Sequence, residues 1–404
     1  MTHSPSLLRV DGQVIAFRAD ASLGIGTGHV MRCLTLARAL CEAGAECHFL
    51  CREHPGHLLE MIQAEGFAVH RLPREGQDNA SQFIAKTEAQ RGDASSEALP
   101  SKSRSDVEHS HWLGVSWQAD AKACRPILQD IAPDWLVVDH YALDADWEAA
   151  VLSGRARLLV IDDLADRPHI ADILLDQNLG RCEEDYVGLV RENCDCLIGP
   201  RYALLRPEFA ELRGASLARR SGKVQLKRVL ISLGGVDKDN ATGAVLEALK
   251  GCSLPMDCRI TVVMGASAPW LATVRDKANE LPWQCDVVVN VTDMAERMAQ
   301  ADLAIGAAGS TSWERCCLGV PTLMFELAEN QKSIARALHQ ASAAYSLGNP
   351  DALDGLSLDW GKLVNPNALA EMSEAASHLV DGNGLVRLIR RLSELSHPRE
   401  ISNG

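Results

Sequence analysis

The chain has 404 residues, 47% apolar and 23% charged, which excludes disordered, collagen-like and fibrous proteins and leaves room for two or three domains. It is acidic, with 54 Asp plus Glu against 40 Lys plus Arg and a formal charge of -14, which disfavours nucleic acid and anionic lipid as partners. The 13 cysteines are odd in number and lack C-x-x-C spacing, so they read as reduced, buried thiols, and with no secretory h-region or long apolar run the expected location is the cytoplasm.

Val14-Ile15-Ala16-Phe17 predicts a strand, and Gly24-Ile25-Gly26-Thr27-Gly28 a turn after it. From Val30, apolar residues at Met31, Cys33, Leu34, Ala37, Leu40 and Cys41 recur at helical steps, with Gly44 as the C-cap, and Cys47-His48-Phe49-Leu50 is a second strand. Strand, glycine turn, helix, strand is a βαβ unit, which implies parallel strands. A helix near 57–65, a strand near 67–71 and a helix near 120–129 follow, then strands Trp135–Asp139 and Leu158–Asp162, each closed by an acid. These runs are apolar on both sides of the pleat, as strands covered by helices on both faces require. Residues 76–110, rich in serine and mixed charge, read as a flexible insertion.

Arg219-Arg220-Ser221-Gly222 interrupt the apolar rhythm and predict a boundary, giving an N-terminal domain at 12–218, a C-terminal domain at 219–375 and a tail at 376–404. The second domain repeats the pattern: strand Val229–Leu233, turn Gly234-Gly235, helix Ala241–Lys250, then strands at Ile260–Met264, Val287–Val291, Leu303–Ile305 and Pro321–Phe325. The fold class is therefore α/β, with two Rossmann-like doubly wound domains facing a cleft.

The first turn is spaced G-x-G-x-G-H, which is neither the dinucleotide fingerprint G-x-G-x-x-G nor a Walker P-loop, so no nicotinamide cofactor and no ATPase are expected. Backbone amides of Gly26 and Gly28 at a helix start suit an anion, and His29 beside them suits a general base near neutral pH. In the second domain Gly234 and Gly235, then Gly309, Ser310, Thr311 and Glu314, then Asn330 and Gln331, stand on turns after three strands. Small residues admit a ligand to the backbone, and a carboxylate in a first helical turn can accept adjacent ribose hydroxyls. Three such turns favour a nucleotide-sugar site over three independent caps. The D-x-D pairs Asp144/Asp146 and Asp237/Asp239 stand at helix starts and read as caps, so no metal site is expected.

Arg18-Ala19-Asp20-Ala21-Ser22 with Gly24 to Cys33, then His111-Trp112-Leu113-Gly114-Val115, Val137-Val138-Asp139-His140-Tyr141, Ile161 to Arg167, Leu175-Asp176-Gln177-Asn178, Gly199 to Arg206 and Gly309 to Glu314 occur in the order of a known family. Together they resemble the PseG family, the UDP-2,4-diacetamido-2,4,6-trideoxy-β-L-altropyranose hydrolases of pseudaminic acid biosynthesis, over about residues 17–338. The resemblance implies a GT-B fold of the MurG type with UDP held mainly by the C-terminal domain, and cleavage of the sugar C1–O bond with inversion. His29 matches the family's catalytic histidine, Glu314 and Asn330 its nucleotide-site residues, and Asn178 a sugar-binding asparagine. Asp20 and Tyr141 are expected to position base or sugar. No cofactor is implied, and the partner is a small UDP-sugar, with oligomeric state left open. Two rivals share these motifs: a GT-B UDP-sugar glycosyltransferase, and a non-catalytic nucleotide-sugar-binding protein.

Overall fold

The computed structural model describes residues 10–74 and 109–396, except 153, 155, 223–224, 351–352 and 354–355. All but the last two residues of the expected insertion at 76–110 lie outside the described residues, as does the end of the expected tail.

The chain divides into two compact units, the first running to Asp176 with Glu183–Leu197 and the residues from Ile389, the second being Gln177–Cys182 with Ile198–Leu388. In the first, β1 (Val14–Ala19), α1 (Gly28–Glu42), β2 (Glu46–Arg52), α2 (Leu59–Ala64) and β3 (Ala68–Leu72) precede α3 (Trp117–Ile131), β4 (Trp135–Asp139), α4 (Ala145–Val151), β5 (Arg157–Ile161), β6 (Ile173–Asp176) and β7 (Asp195–Ile198). The strands form one sheet in the order β3-β2-β1-β4-β5-β6-β7. The pairings from β3 across to β6 are parallel. One face, carrying Ala16, Leu50, Leu136, Val138, Leu158 and Val160, packs on Cys124 and Leu128 of α3 and Trp147 of α4. The alternating residues Ile15, Phe17, Phe49, Val137 and Leu159 are equally buried, which is why these strands read as unbroken apolar runs.

In the second unit α5 (Pro207–Arg220), β8 (Arg228–Ser232), α6 (Ala241–Leu249), β9 (Arg259–Met264), α7 (Leu271–Asn279), β10 (Gln284–Val289), α8 (Met294–Gln300), β11 (Leu303–Ala307), α9 (Thr311–Cys317), β12 (Thr322–Phe325), α10 (Lys332–Gln340), β13 (Tyr345–Gly348), α11 (Leu356–Leu363), α12 (Pro366–Leu379) and α13 (Gly384–Ser396) follow in turn. The sheet order is β10-β9-β8-β11-β12-β13, and every pair is parallel. Val229, Ile231, Ile260, Val262 and Ile305 face α6 and α7, while Leu230, Val263, Ala304 and Met324 face Phe209 of α5, Met298 of α8 and Trp313 of α9.

The unit boundary differs from the expected 218/219 division, and the reason is α5. Its Phe209 is fully buried in the second unit's core, so the helix belongs there. Arg219 and Arg220, read from sequence as an interruption, close the C-terminus of α8. Arg220 donates to the carbonyls of Met298, Ala299 and Ala301, and Arg219 to those of Ala299, Gln300 and Ala301. Carbonyls left without intrahelical donors thus receive guanidinium N–H groups, at the negative end of the helix. The region expected to be tail forms α12 and α13, and the final residues of α13 return to the first unit, where Trp135 Nε1 donates to Ser396 Oγ at 2.9 Å.

Candidate functional site

In a sheet ordered 3-2-1-4-5-6, connections leave β1 and β4 in opposite directions, which opens a crevice at their C-terminal ends. β1 and β4 pair with Ala19 beside Asp139, so the turn after β1 and the residues after β4 meet there. Ser22 shapes that turn. Its backbone exchanges hydrogen bonds with Gly26 (Ser22 N to Gly26 O 3.3 Å, Gly26 N to Ser22 O 2.8 Å), and its Oγ accepts from Gly24 N and Ile25 N at 3.1 and 2.9 Å. Gly26 takes φ +82°, a conformation natural to glycine. The Gly26 amide is therefore occupied within the turn, whereas Gly28 opens α1, whose N-cap Thr27 makes no side-chain capping bond.

His29 and Arg32 lie one turn apart on α1 and both reach Asp139, the last residue of β4. His29 Nδ1 is 2.6 Å from Asp139 Oδ1. Arg32 is bidentate to the same carboxylate, Nε to Oδ2 at 2.5 Å and Nη2 to Oδ1 at 2.6 Å. Asp139 is fully buried; burial alone would raise its pKa, but Arg32 and then His29 hold it well below the usual carboxylate range. An ionised carboxylate only accepts, so Nδ1 of His29 donates to it, and in the neutral ring Nε2 then carries the lone pair.

Tyr141 packs edge-on against His29, ring centroids 4.6 Å apart, and its hydroxyl donates to Asp163 Oδ2 at 2.7 Å. Burial, then the Asp163 charge, push that phenol well above its ordinary pKa and keep it neutral. Trp112 stacks on Tyr141 at 5.6 Å and extends this wall. Asp20 is elsewhere: fully buried at the end of β1, it is gripped by Arg18 and the Arg52 amide, with His140 Nε2 at 3.3 Å. The structure thus brings His29 and Tyr141 together and sets Asp20 behind them. Asp139, Arg32 and Asp163 were not assigned to the site from sequence. The available signal was an acid ending the strand that a doubly wound order places next to β1.

In the second unit β8, β11 and β12 are neighbours, so the turns at 234–240, 308–311 and 326–331 come side by side. Gly234 has φ +102°, and a Cβ on Gly265 would lie 2.3 Å from the Gly235 carbonyl, so two turns approach backbone to backbone. Asp237 caps α6, accepting from Ala241 N and Thr242 N at 2.8 and 3.0 Å, and Asp144 caps α4 through Asp146 N and Trp147 N, as expected of both. Ser310 is the N-cap of α9 without a side-chain capping bond. Buried Arg315 braces this turn, donating to Ala307 O, Ser312 Oγ and Thr311 Oγ1. Gly306 is required beneath it, because a Cβ there would stand 2.4 Å from Arg315 Nη1.

Glu314, in the first turn of α9, is half-buried, and desolvation pushes its pKa up to about 7 against the opposing pull of Arg206 and Arg315. Gln331 Oε1 accepts from Leu327 N at 2.9 Å, while Asn330 is exposed on a 3-10 turn, Glu329–Gln331. Asn178 is buried and belongs to this second unit, not to the one carrying His29. Among the described residues no helix is long and apolar enough to cross a membrane.

No protein-family profile matches the sequence. The spore coat polysaccharide biosynthesis protein SpsG of Bacillus subtilis is 29% identical over 209 residues, 51% of this chain and 60% of the relative. The uncharacterized protein MJ1062 of Methanocaldococcus jannaschii is 24% identical over 326 residues, 79% of this chain and 56% of the relative, so the chain spans less than two thirds of either protein. The UDP-2,4-diacetamido-2,4,6-trideoxy-beta-L-altropyranose hydrolase of Campylobacter jejuni is 24% identical over 322 residues, 80% of this chain and 94% of the relative, which is the resemblance carried by the motifs. Among solved structures, Acinetobacter baumannii MurG superposes with a TM-score of 0.64 at 15% identity, covering 95% of this chain and 99% of MurG. TcCGT1 in complex with UDP gives 0.58 at 13% identity, over 96% and 100%. The fold is GT-B. Within it, the first Rossmann-like unit holds the His29–Asp139 pair, and the second holds the three polar turns.

Proposed function

We propose that the protein hydrolyses a UDP-sugar, with His29 as the general base. The substrate we infer is UDP-2,4-diacetamido-2,4,6-trideoxy-β-L-altropyranose, converted with water to UDP and 2,4-diacetamido-2,4,6-trideoxy-L-altrose in pseudaminic acid biosynthesis. The observation that carries the reading is the buried His29–Asp139 pair, with Nδ1 engaged by the carboxylate at 2.6 Å. Similarity over most of the chain to the Campylobacter hydrolase supports the choice of substrate.

In the reaction Nε2 takes a proton from water, the water oxygen bonds to C1 from the face opposite the leaving group, and the C1–O bond to UDP breaks with inversion. UDP leaves as a stable anion and needs little protonation, so one base suffices. Asp139 orients the imidazole and balances its charge, and Tyr141 fixes the ring plane by its edge contact. Asp20 acts at one remove, through His140. In the second unit we assign UDP to the turns bearing Gly234, Gly235, Gly309, Ser310, Thr311, Asn330 and Gln331, with the ribose hydroxyls on Glu314 and Asn178 nearer the sugar. Ribose O–H groups donating to Glu314 favour its ionised form, offsetting the desolvation that raises its pKa.

The test is incubation with that UDP-sugar and no acceptor, followed by proton NMR. Stoichiometric UDP and free sugar of inverted configuration are expected. UDP binding without turnover would instead favour a glycosyltransferase, the second reading, which similarity to a pyrophosphoryl-undecaprenol N-acetylglucosamine transferase of Sorangium cellulosum, 33% identical over 117 residues, 27% of this chain and 29% of the relative, supports. Turnover should also persist in EDTA, because the nearby carboxylates are already engaged: Asp139 and Asp163 by Arg32, and Asp237 as a cap. Loss of activity in EDTA, with recovery on adding magnesium, would sink the metal-free mechanism.

A further inference from the structure

Five residues near the base close a ring. His29 meets Asp139, Asp139 is clamped by Arg32, Arg32 Nη1 donates to Asp163 Oδ2 at 2.7 Å, Asp163 accepts from the Tyr141 hydroxyl, and the Tyr141 ring returns to His29. Three segments contribute: the first turns of α1, the end of β4, and the residue pair just past β5. All five are substantially buried; the least so, Asp163, keeps 14% of its side chain exposed. The reading of His29 as base uses its contacts with Asp139 and Tyr141 and leaves the guanidinium without a task.

We propose that Arg32 is a positioning residue for the reaction: its two-pronged grip on Asp139, braced through Asp163 to Tyr141, fixes the tautomer and ring plane of His29 and opposes premature protonation of that ring. This rests on the reading of His29 as the base. The physical argument has two parts. A carboxylate bound by one imidazole N–H alone can rotate about its Cβ–Cγ bond, whereas the planar guanidinium fork fixes both oxygens. Arg32 Nη2 also lies 3.4 Å from His29 Nδ1, so a positive charge stands next to the ring and disfavours a second one on it.

The other groups facing the ring do not supply this effect. Asp139 from β4 and, behind Arg32, Asp163 are anions and act in the opposite sense. Tyr141 is held neutral, and His140 is buried with Nδ1 accepting from Ala142 N and Nε2 toward Asp20, burial pushing its pKa down. Trp112, 6.4 Å from the His29 ring centroid, carries no charge, and His109 touches Tyr141 and Trp112 at 5.5 and 4.5 Å.

Three substitutions, at two residues of opposite charge, test the proposal. Arg32→Met should lower kcat for UDP release by about 10- to 100-fold, as loss of an outer-shell partner does, with KM changed less than about threefold. It should move the acid limb of the kcat profile up by about one pH unit, since a cation beside the imidazolium is gone. Arg32→Lys should restore most of the pH limb but only part of the rate, because the charge returns without the fork. Asp163→Asn removes an anion and should move the same limb down. A purely structural ion pair would shift thermal stability and leave both limbs where they are, and that result overturns the proposal. The His29 ring signals, followed by NMR in 13C-histidine-labelled protein, should move with pH in the same two directions, independently of turnover. If His29→Asn retains full activity, the base reading fails, while the NMR titrations of the other variants still report on the clamp. Should Arg32→Met fail to fold, Asp163→Asn carries the titration test and Arg32→Lys the rate test, and an unchanged titration in the first with an unchanged rate in the second overturns it.

Discussion

Replacing His29 with Asn should lower UDP release by about 10²- to 10⁴-fold, the range general-base catalysis supplies, while leaving UDP affinity within about twofold. The amide retains a donor toward Asp139, so the surrounding hydrogen bonds survive, but no basic nitrogen remains where Nε2 stood. UDP is assigned to the turns of the other unit, which this substitution does not touch. Steady-state kinetics and calorimetric titration of UDP on the same preparation check both halves. Equal loss of UDP affinity would mean that His29 holds the nucleotide and that the base lies elsewhere. Intact turnover would eliminate His29 as the base and place the catalytic group elsewhere.

The second large effect falls on stability. Arg18 is fully buried between two fully buried carboxylates, Asp20 at 2.7 Å and Asp120 at 2.8 Å, and Arg52 also reaches Asp120. Removing one member of a buried ion network leaves the remaining charges only partly compensated and away from water, at a cost of about 3–5 kcal/mol. Arg18→Met should therefore lower the urea midpoint sharply at neutral pH. Burial raises the Asp20 and Asp120 pKa values, but Arg18, together with His140 and His54 at Asp20 and Arg52 at Asp120, outweighs it, so both are depressed in the folded protein. Depressed carboxylates contribute stability that is complete above their unfolded value of about 4 and lost as pH falls through the folded value. In Arg18→Met the largest opposing charge is gone while Arg52, His140 and His54 remain, so protonation destabilises the variant less than the parent. The gap between the two should narrow on acidification below about pH 4. A gap independent of pH would assign the loss to packing.

The sequence exposed the architecture wherever physics leaves a local trace. Strands β1, β4, β8 and β9 are buried on both faces and stand out as apolar runs, and the helix after Gly28 shows its period directly. β7 and β13, four residues each and only partly buried, carry no such trace and went unread. Arg219 and Arg220 misled because a charged pair in sequence resembles a linker, while in space it serves the carbonyls of a helix about 80 residues onward. The site divides in the same way. His29 announced itself through its glycine turn, but its partner Asp139 is 110 positions away and is recognisable only once strand order is known. The glycine amides offered to an anion were a local inference that Ser22 overturns for Gly26, whose N–H its carbonyl occupies, and not for Gly28.

The chain leaves the first unit and comes back to it at Ile389. During synthesis on a ribosome, the seven strands of the first sheet emerge long before Arg391 and Ser396, which bind Asp195 and Trp135 in the finished unit. The first-made half therefore waits for residues made much later, and its completion is coupled to the emergence of α13 rather than to its own. A nascent chain arrested before residue 389 would hold Trp135 without its hydroxyl acceptor, so protease resistance of the first half should rise late, once Ser396 has emerged, instead of stepwise along the message.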